Sequence, residues 1–455
     1  MGTTDWWGAD LLGSGDGSAV WARGRGEVTL GVLRGEVART AALLAVQGVR
    51  AGSTVLVQGT TSFTQLWAVF ALWSLGAQVV LVEAGLRRQA VAQALHDLRP
   101  QFRLSFGREP HLRREFRDQC GVLVRHDRSG VRAATDHCLV QLSSGTIGQV
   151  RAVGRTGASL LAELARVAAV PGLPERGDRV LLLEPPARSF ALIGGVLHAL
   201  SVGATVQFPP HPAAARVAAL LAESDVVLGN PQHFAALAAV PGARTGRPRV
   251  AVWGGDVLPD TVAARFAERY GVRVGQAYGT TETGLVAADP LGLHAPAVGP
   301  PVPGLGTRVV DGALWVKLPE SPHLDVDRRD ADGWFATQDL VRQDVRSGVI
   351  RLRGRVDPAA AVSPDVDLFA IERALHDHSE VREAVVVGAD VVEAHVAGSP
   401  ALDPQDLLAW CRGRLGPAQS IRLHVLPALP RTTNGKAVRH RGLLHAARVA
   451  AAASP

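Results

Sequence analysis

A loop rich in glycine and hydroxyl side chains follows a predicted strand and could bind phosphate. Residues 139–153 read LVQLSSGTIGQVRAV. Glycines let backbone amides point into one concavity, and hydroxyl and guanidinium groups add donors. The residues suited to such contacts are Ser143, Ser144, Gly145, Thr146, Gly148 and Arg151. The spacing matches neither the Walker nor the dinucleotide-binding pattern, so a surface turn is the alternative interpretation.

One lysine stands out because the chain has almost none. Lys317 and Lys436 are its only lysines, and arginine supplies nearly all other positive charge, which indicates a GC-rich genome. A compact ammonium on a long stem can reach between carboxylate and phosphate oxygens and counter the charge that develops there. Lys436 is therefore the predicted catalytic cation, whereas Lys317 lies on a predicted strand and is interpreted as a solvated residue.

The elements that must position these groups alternate between strand and helix. Apolar strands at 54–58 and 77–82 flank a predicted helix at 63–75, and the same alternation returns between 179 and 276. This rhythm is typical of parallel sheets covered by helices. The prediction is an α/β protein with a large N-terminal domain, 1–355, of stacked α/β sheets plus a small barrel-like β region. A small mobile α+β domain, 356–455, follows.

Bulk composition excludes several classes of protein. The chain has 455 residues, of which 47% are hydrophobic and 20% charged, and a formal net charge of +6. Its arginines are scattered, which argues against nucleic-acid binding. Three cysteines lack metal-ligand spacing and fit a reducing compartment. No signal peptide or membrane span is recognisable, so the expected location is the cytoplasm.

Several strings resemble, in order, the motifs of the adenylate-forming superfamily of acyl-CoA synthetases, peptide-synthetase adenylation domains and luciferases. The loop at 139–153 is similar to the family's Ser-Ser-Gly-Thr-Thr-Gly-x-Pro-Lys-Gly loop. The strings that follow are AVWGGDVLP at 251–259, VGQAYGTTETG at 274–284, DGWFATQDL at 332–340, GRVD at 354–357 and VLPALPRTTNGKAVR at 425–439. The branch that the chain resembles best is the acyl-CoA synthetases.

The resemblance implies a role for most of these residues. Tyr278 stacks on adenine, Thr281 donates to the α-phosphate, Glu282 binds Mg²⁺ directly or through water, and Asp339 accepts from the ribose hydroxyls. Asp357 is the implied hinge about which the small domain rotates. The remaining implied nucleotide-binding residues are Gly254, Gly255, Asp256, Gln276, Ala277, Gly279, Thr280 and Arg355.

The implied reaction has two steps in one site. A small carboxylic acid attacks ATP to give an acyl-AMP, with Mg²⁺ as cofactor, and CoA then takes the acyl group as a thioester. The predicted acyl pocket consists of Ser189, Phe190, Val252, Trp253 and Gly275. No aspartate begins the segment 188–194 to hold an amino group, which favours an aryl or alkyl acid over an α-amino acid.

Departures from the family pattern leave alternatives open. Ile147, Val150 and Arg151 replace Thr, Pro and Lys of the phosphate loop, and 358–364 lacks the Lys and Gly of the family's thiol loop. One alternative is therefore an adenylation-impaired enzyme that mainly converts a preformed acyl-adenylate, supplied by a partner enzyme, to acyl-CoA. A noncatalytic nucleotide-binding protein is the other. The acid, the choice between CoA and a carrier-protein thiol, a homodimer and a role in bacterial secondary metabolism stay open.

Overall fold

The computed structural model describes residues 6–86, 88–107, 115–143, 151–242, 248–355, 366–388, 391–415, 420–432 and 436–452. The strands are β1 (Val20–Arg23), β2 (Glu27–Thr29), β3 (Thr54–Gly59), β4 (Gln78–Val82), β5 (Phe102–Phe106), β6 (Val122–His126), β7 (Leu139–Leu142), β8 (Ala152–Arg155), β9 (Arg179–Leu182), β10 (Thr205–Gln207), β11 (Val226–Gly229), β12 (Val250–Gly254), β13 (Val274–Thr280), β14 (Gly284–Asp289), β15 (Thr307–Val310), β16 (Ala313–Lys317), β17 (Trp334–Gln343), β18 (Ile350–Arg355), β19 (Val381–Val387), β20 (Val392–Gly398) and β21 (Ile421–Val425).

The α-helices are α1 (Ala9–Gly13), α2 (Leu30–Val46), α3 (Phe63–Ser74), α4 (Arg88–Leu98), α5 (Gly157–Ala168), α6 (His198–Val202), α7 (Ala214–Leu221), α8 (Pro231–Ala238), α9 (Asp260–Tyr270), α10 (Leu368–His376), α11 (Pro404–Leu415) and α12 (Arg441–Ala452). A π-helix, Phe190–Leu197, runs directly into α6. Among the described residues no helix combines the length and the apolar character needed to cross a membrane.

Two large sheets form the first part of the chain. One has eight strands in the order β14-β13-β12-β11-β9-β10-β1-β2, and the other has six in the order β6-β5-β3-β4-β7-β8. Their central strands pair in parallel, as in β3 with β4 and β12 with β13. The carboxyl ends of parallel strands share one edge of a sheet, where ligand sites of α/β proteins form. The loops after β7, β12 and β13 therefore start at such edges.

Helix α3 packs between the two large sheets, and its sequence explains why a buried helix forms there. Ser62 caps it by accepting a hydrogen bond from the backbone N–H of Gln65. Its residues from Phe63 through Trp73, except Thr64, are buried, and they contribute to the largest hydrophobic cluster. A helix that is apolar all round must be covered on every side, and its burial fixes the two sheets against each other.

The second part of the chain is built from shorter antiparallel elements. Strands β15 to β18 form a four-stranded sheet, and β17 and β18 pair so that Asp339 lies opposite Arg355. The last described elements form a three-stranded sheet, β19-β20-β21, with α10 and α11 on one face and α12 on the other. This confirms the predicted mixed α/β fold with a large N-terminal and a small C-terminal part.

The structure differs from the sequence expectation at 190–197. The alternation of strands and helices between 179 and 276 predicts a helix in this region, and the structure begins it as a π-helix at Phe190. Wider π turns tend to occur at functional sites, and this one directs Phe190 toward Gly254. The domain boundary near 355 stays a prediction, because Asp357 and the loop 358–364 lie outside the described residues.

Candidate functional site

A cavity of about 2310 Å³ opens where the ends of β7, β12 and β13 meet the small C-terminal part. The predicted nucleotide-binding and catalytic residues that line it are Ser143, Arg151, Gly254, Gly255, Asp256, Gln276, Ala277, Tyr278, Gly279, Thr280, Thr281, Glu282, Asp339, Arg355 and Lys436. Residues far apart in the sequence thus share one space. Ser144, Gly145, Thr146 and Gly148 lie outside the described residues.

Tyr278 and Asp339 form a buried pair on one wall of the cavity. The Tyr278 hydroxyl donates to Asp339 Oδ2 at 2.6 Å, and Arg355 Nε lies 3.4 Å from Asp339 Oδ1. Burial, followed by the nearby Asp339 charge, raises the pKa of Tyr278 well above its ordinary value. The phenol therefore stays protonated and acts as a donor. This hydrogen bond fixes the carboxylate predicted to face the ribose, and sequence motifs alone did not reveal it.

A second feature is the turn that carries Thr281 and Glu282. The backbone N–H groups of Thr280 and Thr283 each donate to the other residue's hydroxyl at 3.2 Å. Behind the turn, Glu163 accepts from the backbone N–H of Leu285 at 2.9 Å. These bonds hold the turn in one shape, so that both Thr281 and Glu282 line the cavity.

Glu163 is itself held by a buried ion pair. Arg155 Nη2 lies 2.7 Å from Glu163 Oε2, and the two side chains are only 6% and 5% exposed. A buried charge pair is costly to break from one side, because the remaining charge is left uncompensated. Neither residue belongs to a recognised motif, and sequence reasoning missed both.

The Glu282 carboxylate fits the expected magnesium site in its chemistry. It lines the cavity, and its charge acts on the ring of His323 together with that of Arg151. Burial, the largest influence, lowers the pKa of His323 despite Glu282. Carboxylate oxygens are the ligands that Mg²⁺ prefers, alongside water and phosphate oxygens. Bound there, Mg²⁺ would supply charge neutralisation for a polyphosphate.

The two described ends of the predicted phosphate loop, Ser143 and Arg151, are hydrogen-bonded to each other. Ser143 N donates to the Arg151 carbonyl at 2.8 Å, and Arg151 N donates to Ser143 Oγ at 3.0 Å. Both residues line the cavity. The loop therefore leaves and re-enters the sheet at one point, and a guanidinium stands where the resemblance leads one to expect an ammonium.

Lys436 enters the cavity from the C-terminal part of the chain. Its ammonium donates to the Gly255 carbonyl at 2.7 Å. Its own backbone is held by Thr432, whose N–H donates to the Lys436 carbonyl at 2.8 Å and whose hydroxyl accepts from Lys436 N at 3.1 Å. Burial lowers the pKa of Lys436, and the Asp256 carboxylate opposes that effect.

Arg439 ties the same two parts of the chain together. Its guanidinium donates two hydrogen bonds of 2.6 Å to Glu372 and one of 3.1 Å to Asp256 Oδ1. Burial would raise the pKa of Asp256, but the charges of Arg439 and Lys436 outweigh it and lower the pKa. Asp256, predicted to contact the nucleotide, therefore also holds the two cations of the small C-terminal part against the large one.

The structure places three of the five predicted acyl-pocket residues at the cavity. Ser189, Phe190 and Trp253 line the cavity, whereas Val252 and Gly275 do not. Successive residues of a strand face opposite sides, so Val252 points into the core and is fully buried. A side chain at Gly275 would meet the Pro290 carbonyl oxygen at 2.1 Å, so backbone closes that face. Val252 and Gly275 therefore lie outside the lining of this cavity, and their part in an acyl pocket stays a prediction.

A charged cluster that the sequence analysis missed also lines the cavity. Arg188 lies between Glu83 at 3.1 Å and Glu184 at 3.0 Å, and Asn230 Nδ2 donates to Glu184 at 2.9 Å. Burial alone would lower the pKa of Arg188, but the two carboxylates raise it. Nearby, Ser189 donates to Gln141 Oε1 at 2.6 Å. Glu83 follows β4, Glu184 and Arg188 follow β9, and Asn230 follows β11, so no single string of the sequence contains the cluster.

Both parts of the chain are similar to known enzymes. The family model described as AMP-binding enzyme matches residues 13–319, and the one described as AMP-binding enzyme C-terminal domain matches residues 370–436. Benzoate–CoA ligase of Thauera aromatica is 28% identical over 348 residues, which are 67% of this chain and 65% of the relative. The 4-hydroxybenzoate–CoA/benzoate–CoA ligase of Rhodopseudomonas palustris is 26% identical over 362 residues, 70% of this chain and 67% of the relative.

Solved structures are similar over almost the whole chain. ATP-bound MatB from Rhodopseudomonas palustris superposes with a TM-score of 0.81 at 20% identity, covering 98% of this chain and 99% of that one. At this identity the likeness concerns the fold.

Proposed function

The chain belongs to the AMP-binding enzyme family, and from this premise we propose that it is an ATP-dependent acid–thiol ligase that forms acyl-CoA through an acyl-adenylate. The observation that carries the proposal is the meeting of Lys436 with Tyr278, Asp339 and Thr281 around one cavity. A protein that only bound a nucleotide would have no need of a lysine in this position.

In the first step the substrate carboxylate attacks the α-phosphorus of ATP, and pyrophosphate leaves. No protein nucleophile is needed, so the site works by positioning and charge neutralisation. Asp339 holds the ribose, Thr281 donates to the α-phosphate, and the Lys436 ammonium bridges the attacking and α-phosphate oxygens. Glu282 would hold Mg²⁺.

In the second step the CoA sulfur attacks the acyl carbonyl, and AMP leaves. Lys436 occupies the cavity through its bond to Gly255, so a rotation of the small domain about Asp357 has to withdraw it before the thiol enters. The contacts of Asp256 with Arg439 are the ones that such a rotation breaks.

The proposed acid is an aryl or neutral alkyl acid. Phe190 and Trp253 give the cavity an apolar wall beside Gly254, and Arg188 is already neutralised by two carboxylates. Two relatives are ligases of benzoate or 4-hydroxybenzoate. We extend the proposal to bacterial secondary metabolism on the arginine-rich composition alone. Location in the cytoplasm is also part of it.

The test compares the chain's two lysines. Pyrophosphate exchange is measured with benzoate, 4-hydroxybenzoate, malonate and octanoate, and thioester formation is measured by mass spectrometry from CoA and synthetic acyl-AMP. Lys436→Ala should lower exchange about 10²- to 10³-fold, the usual cost of losing a transition-state donor, and leave thioester formation within a few-fold. Lys317→Ala, on strand β16, is the matched control.

Three possible results distinguish the ligase, the adenylation-impaired enzyme and the nucleotide-binding protein. Exchange that depends on Lys436, together with thioester formation, supports the ligase. Thioester from the synthetic adenylate without acid-driven exchange supports the adenylation-impaired enzyme that Ile147, Val150 and Arg151 suggest. The absence of thioester from either route across the panel refutes both enzymes and leaves a nucleotide-binding protein.

A further inference from the structure

Three side chains that commonly bind metals lie together on the small C-terminal sheet, away from the cavity. Glu393 and His395 are two residues apart on β20 and so share one face, and His424 is the register partner of His395 on the parallel neighbour β21. One ligand atom from each lies within 4.8 Å of the others. The face they occupy is the one that α12 covers.

His395 is the unusual member of this cluster. It is 1% exposed, and neither ring nitrogen makes a hydrogen bond to any described residue. A buried polar atom without a partner costs free energy that most proteins avoid. An imidazole nitrogen in such a setting is suited to metal binding, because histidine is the commonest protein ligand of transition metals.

Cationic side chains contact two of the three residues, His424 and Glu393. Arg448 Nη1 lies 3.1 Å from both ring nitrogens of His424, and its Nη2 donates to His445 Nδ1 at 2.8 Å. Arg441 lies 2.8 Å and Arg422 3.7 Å from the Glu393 carboxylate. The Arg441 and Arg422 side chains are 44% and 57% exposed, so they can turn toward solvent when another cation takes their place.

We propose that Glu393, His395 and His424 form a binding site for a divalent transition metal, with Zn²⁺ as the favoured ion. Two imidazoles and one carboxylate suit Zn²⁺, Co²⁺, Ni²⁺ and Cu²⁺ rather than Mg²⁺ or Ca²⁺. Water would complete the tetrahedral coordination. Ligands at about 2.0 Å from a tetrahedral ion stand roughly 3.3 Å apart, so the side chains close in by at most about 1.5 Å.

The position of the site gives it a structural rather than a catalytic effect. It would join β20 and β21 on the face of the sheet that α12 covers. Helix α12 directly follows the segment that carries Lys436 and Arg439. Bound metal would therefore stabilise the packing of this helix on the sheet, and a ligand that binds only the folded state raises the unfolding temperature.

Co²⁺ provides the direct probe, since its tetrahedral complexes absorb in the visible range. Tag-free full-length protein is treated with EDTA, dialysed and titrated with Co²⁺ and then Zn²⁺, and its metal content and unfolding temperature are measured. The variants are His395→Gln and His424→Gln. His378→Gln is the matched control, because His378 lies in the same part of the chain and packs against Trp410 instead.

We expect one equivalent of Co²⁺ that Zn²⁺ displaces, and a rise in unfolding temperature. Both ligand variants should weaken binding at least tenfold, whereas His378→Gln should leave it unchanged. His424 is half-buried, so its variant keeps the test valid should His395→Gln fold poorly. Binding well below one equivalent, or equal loss in all three variants, would overturn the proposal. No readout depends on ligase activity.

Discussion

Removing the Asp256 carboxylate should impair adenylation while sparing thioester formation. Asp256 accepts a hydrogen bond from Arg439 at 3.1 Å, and its charge favours the protonated form of Lys436. In Asp256→Ala, Arg439 keeps its two bonds to Glu372. Lys436 loses its nearest carboxylate but keeps its hydrogen bond to the Gly255 carbonyl. The variant should therefore fold, and the contact between the two parts of the chain is weakened.

The expected fall in the adenylation rate is set by the solvent exposure of the Asp256–Arg439 pair. A hydrogen bond between charged groups contributes about 1.5 to 3 kcal/mol when shielded. The Asp256 side chain is 36% exposed, and solvent screening reduces such a pair toward about 1 kcal/mol. Since 1.36 kcal/mol is tenfold in rate, we expect adenylation to fall roughly five- to tenfold.

The pH profile adds a second readout with a definite sign. Burial already lowers the pKa of Lys436, and Asp256 partly counteracts this. The ammonium is present below its pKa and is lost as the pH rises through it. Without Asp256 that pKa falls further, so the alkaline decline of adenylation should begin at a lower pH than in the parent protein.

The assay measures pyrophosphate exchange from pH 6 to 10, and thioester formation from synthetic acyl-AMP at the same pH values. Asp377→Asn is the control, because Asp377 pairs with Arg414 at 3.0 Å within the small C-terminal part. An equal fall in both half-reactions, or an unchanged alkaline limb, would refute the assigned role of Asp256. Loss of activity in the control would point to damaged folding instead.

Two other substitutions test the supports of the site. Tyr278→Phe removes the hydroxyl that donates to Asp339, a hydrogen bond that contributes about 1.5 to 3 kcal/mol. KM for ATP should therefore rise about tenfold or more. Tyr270→Phe, at the only other tyrosine, is the control and should leave KM unchanged. Glu163→Gln removes the negative charge that pairs with buried Arg155, which keeps only its hydrogen bonds to Ser159. The free energy of unfolding in urea titrations should fall by about 3 to 5 kcal/mol. A loss below about 1 kcal/mol, the value of an exposed pair, would contradict the buried ion pair.

The sequence predicted the parts of the site that lie in contiguous strings. The motif around Tyr278 and the segment ending at Lys436 needed no structure to be recognised, because a family conserves the local backbone that presents such groups. The family and the fold class inferred from these strings are confirmed. The alternation of strands and helices was also predictable from the sequence, because the periodicity of hydrophobic residues is a local property of each segment.

The acyl pocket was harder to predict. Val252 and Trp253 are neighbours in the sequence, yet only Trp253 faces the cavity, because strand alternation sends them to opposite sides of the sheet. The side of the sheet that faces the cavity is set by which helices pack on the other side, and the sequence of one strand does not contain that information. One face of Gly275 lies against the backbone of Pro290, a contact made only after β14 folds back.

The residue types alone determined the chemistry available to this protein: a rare lysine, a tyrosine in a polar turn, and carboxylates in recognisable strings. Tertiary structure alone decided which of them meet. It brought Asp256 to Arg439 and Arg188 to Glu83 and Glu184, and it gathered Glu393, His395 and His424 beneath α12. Such contacts join residues from separate elements, and their distances are set by how sheets and helices pack, which no local pattern records.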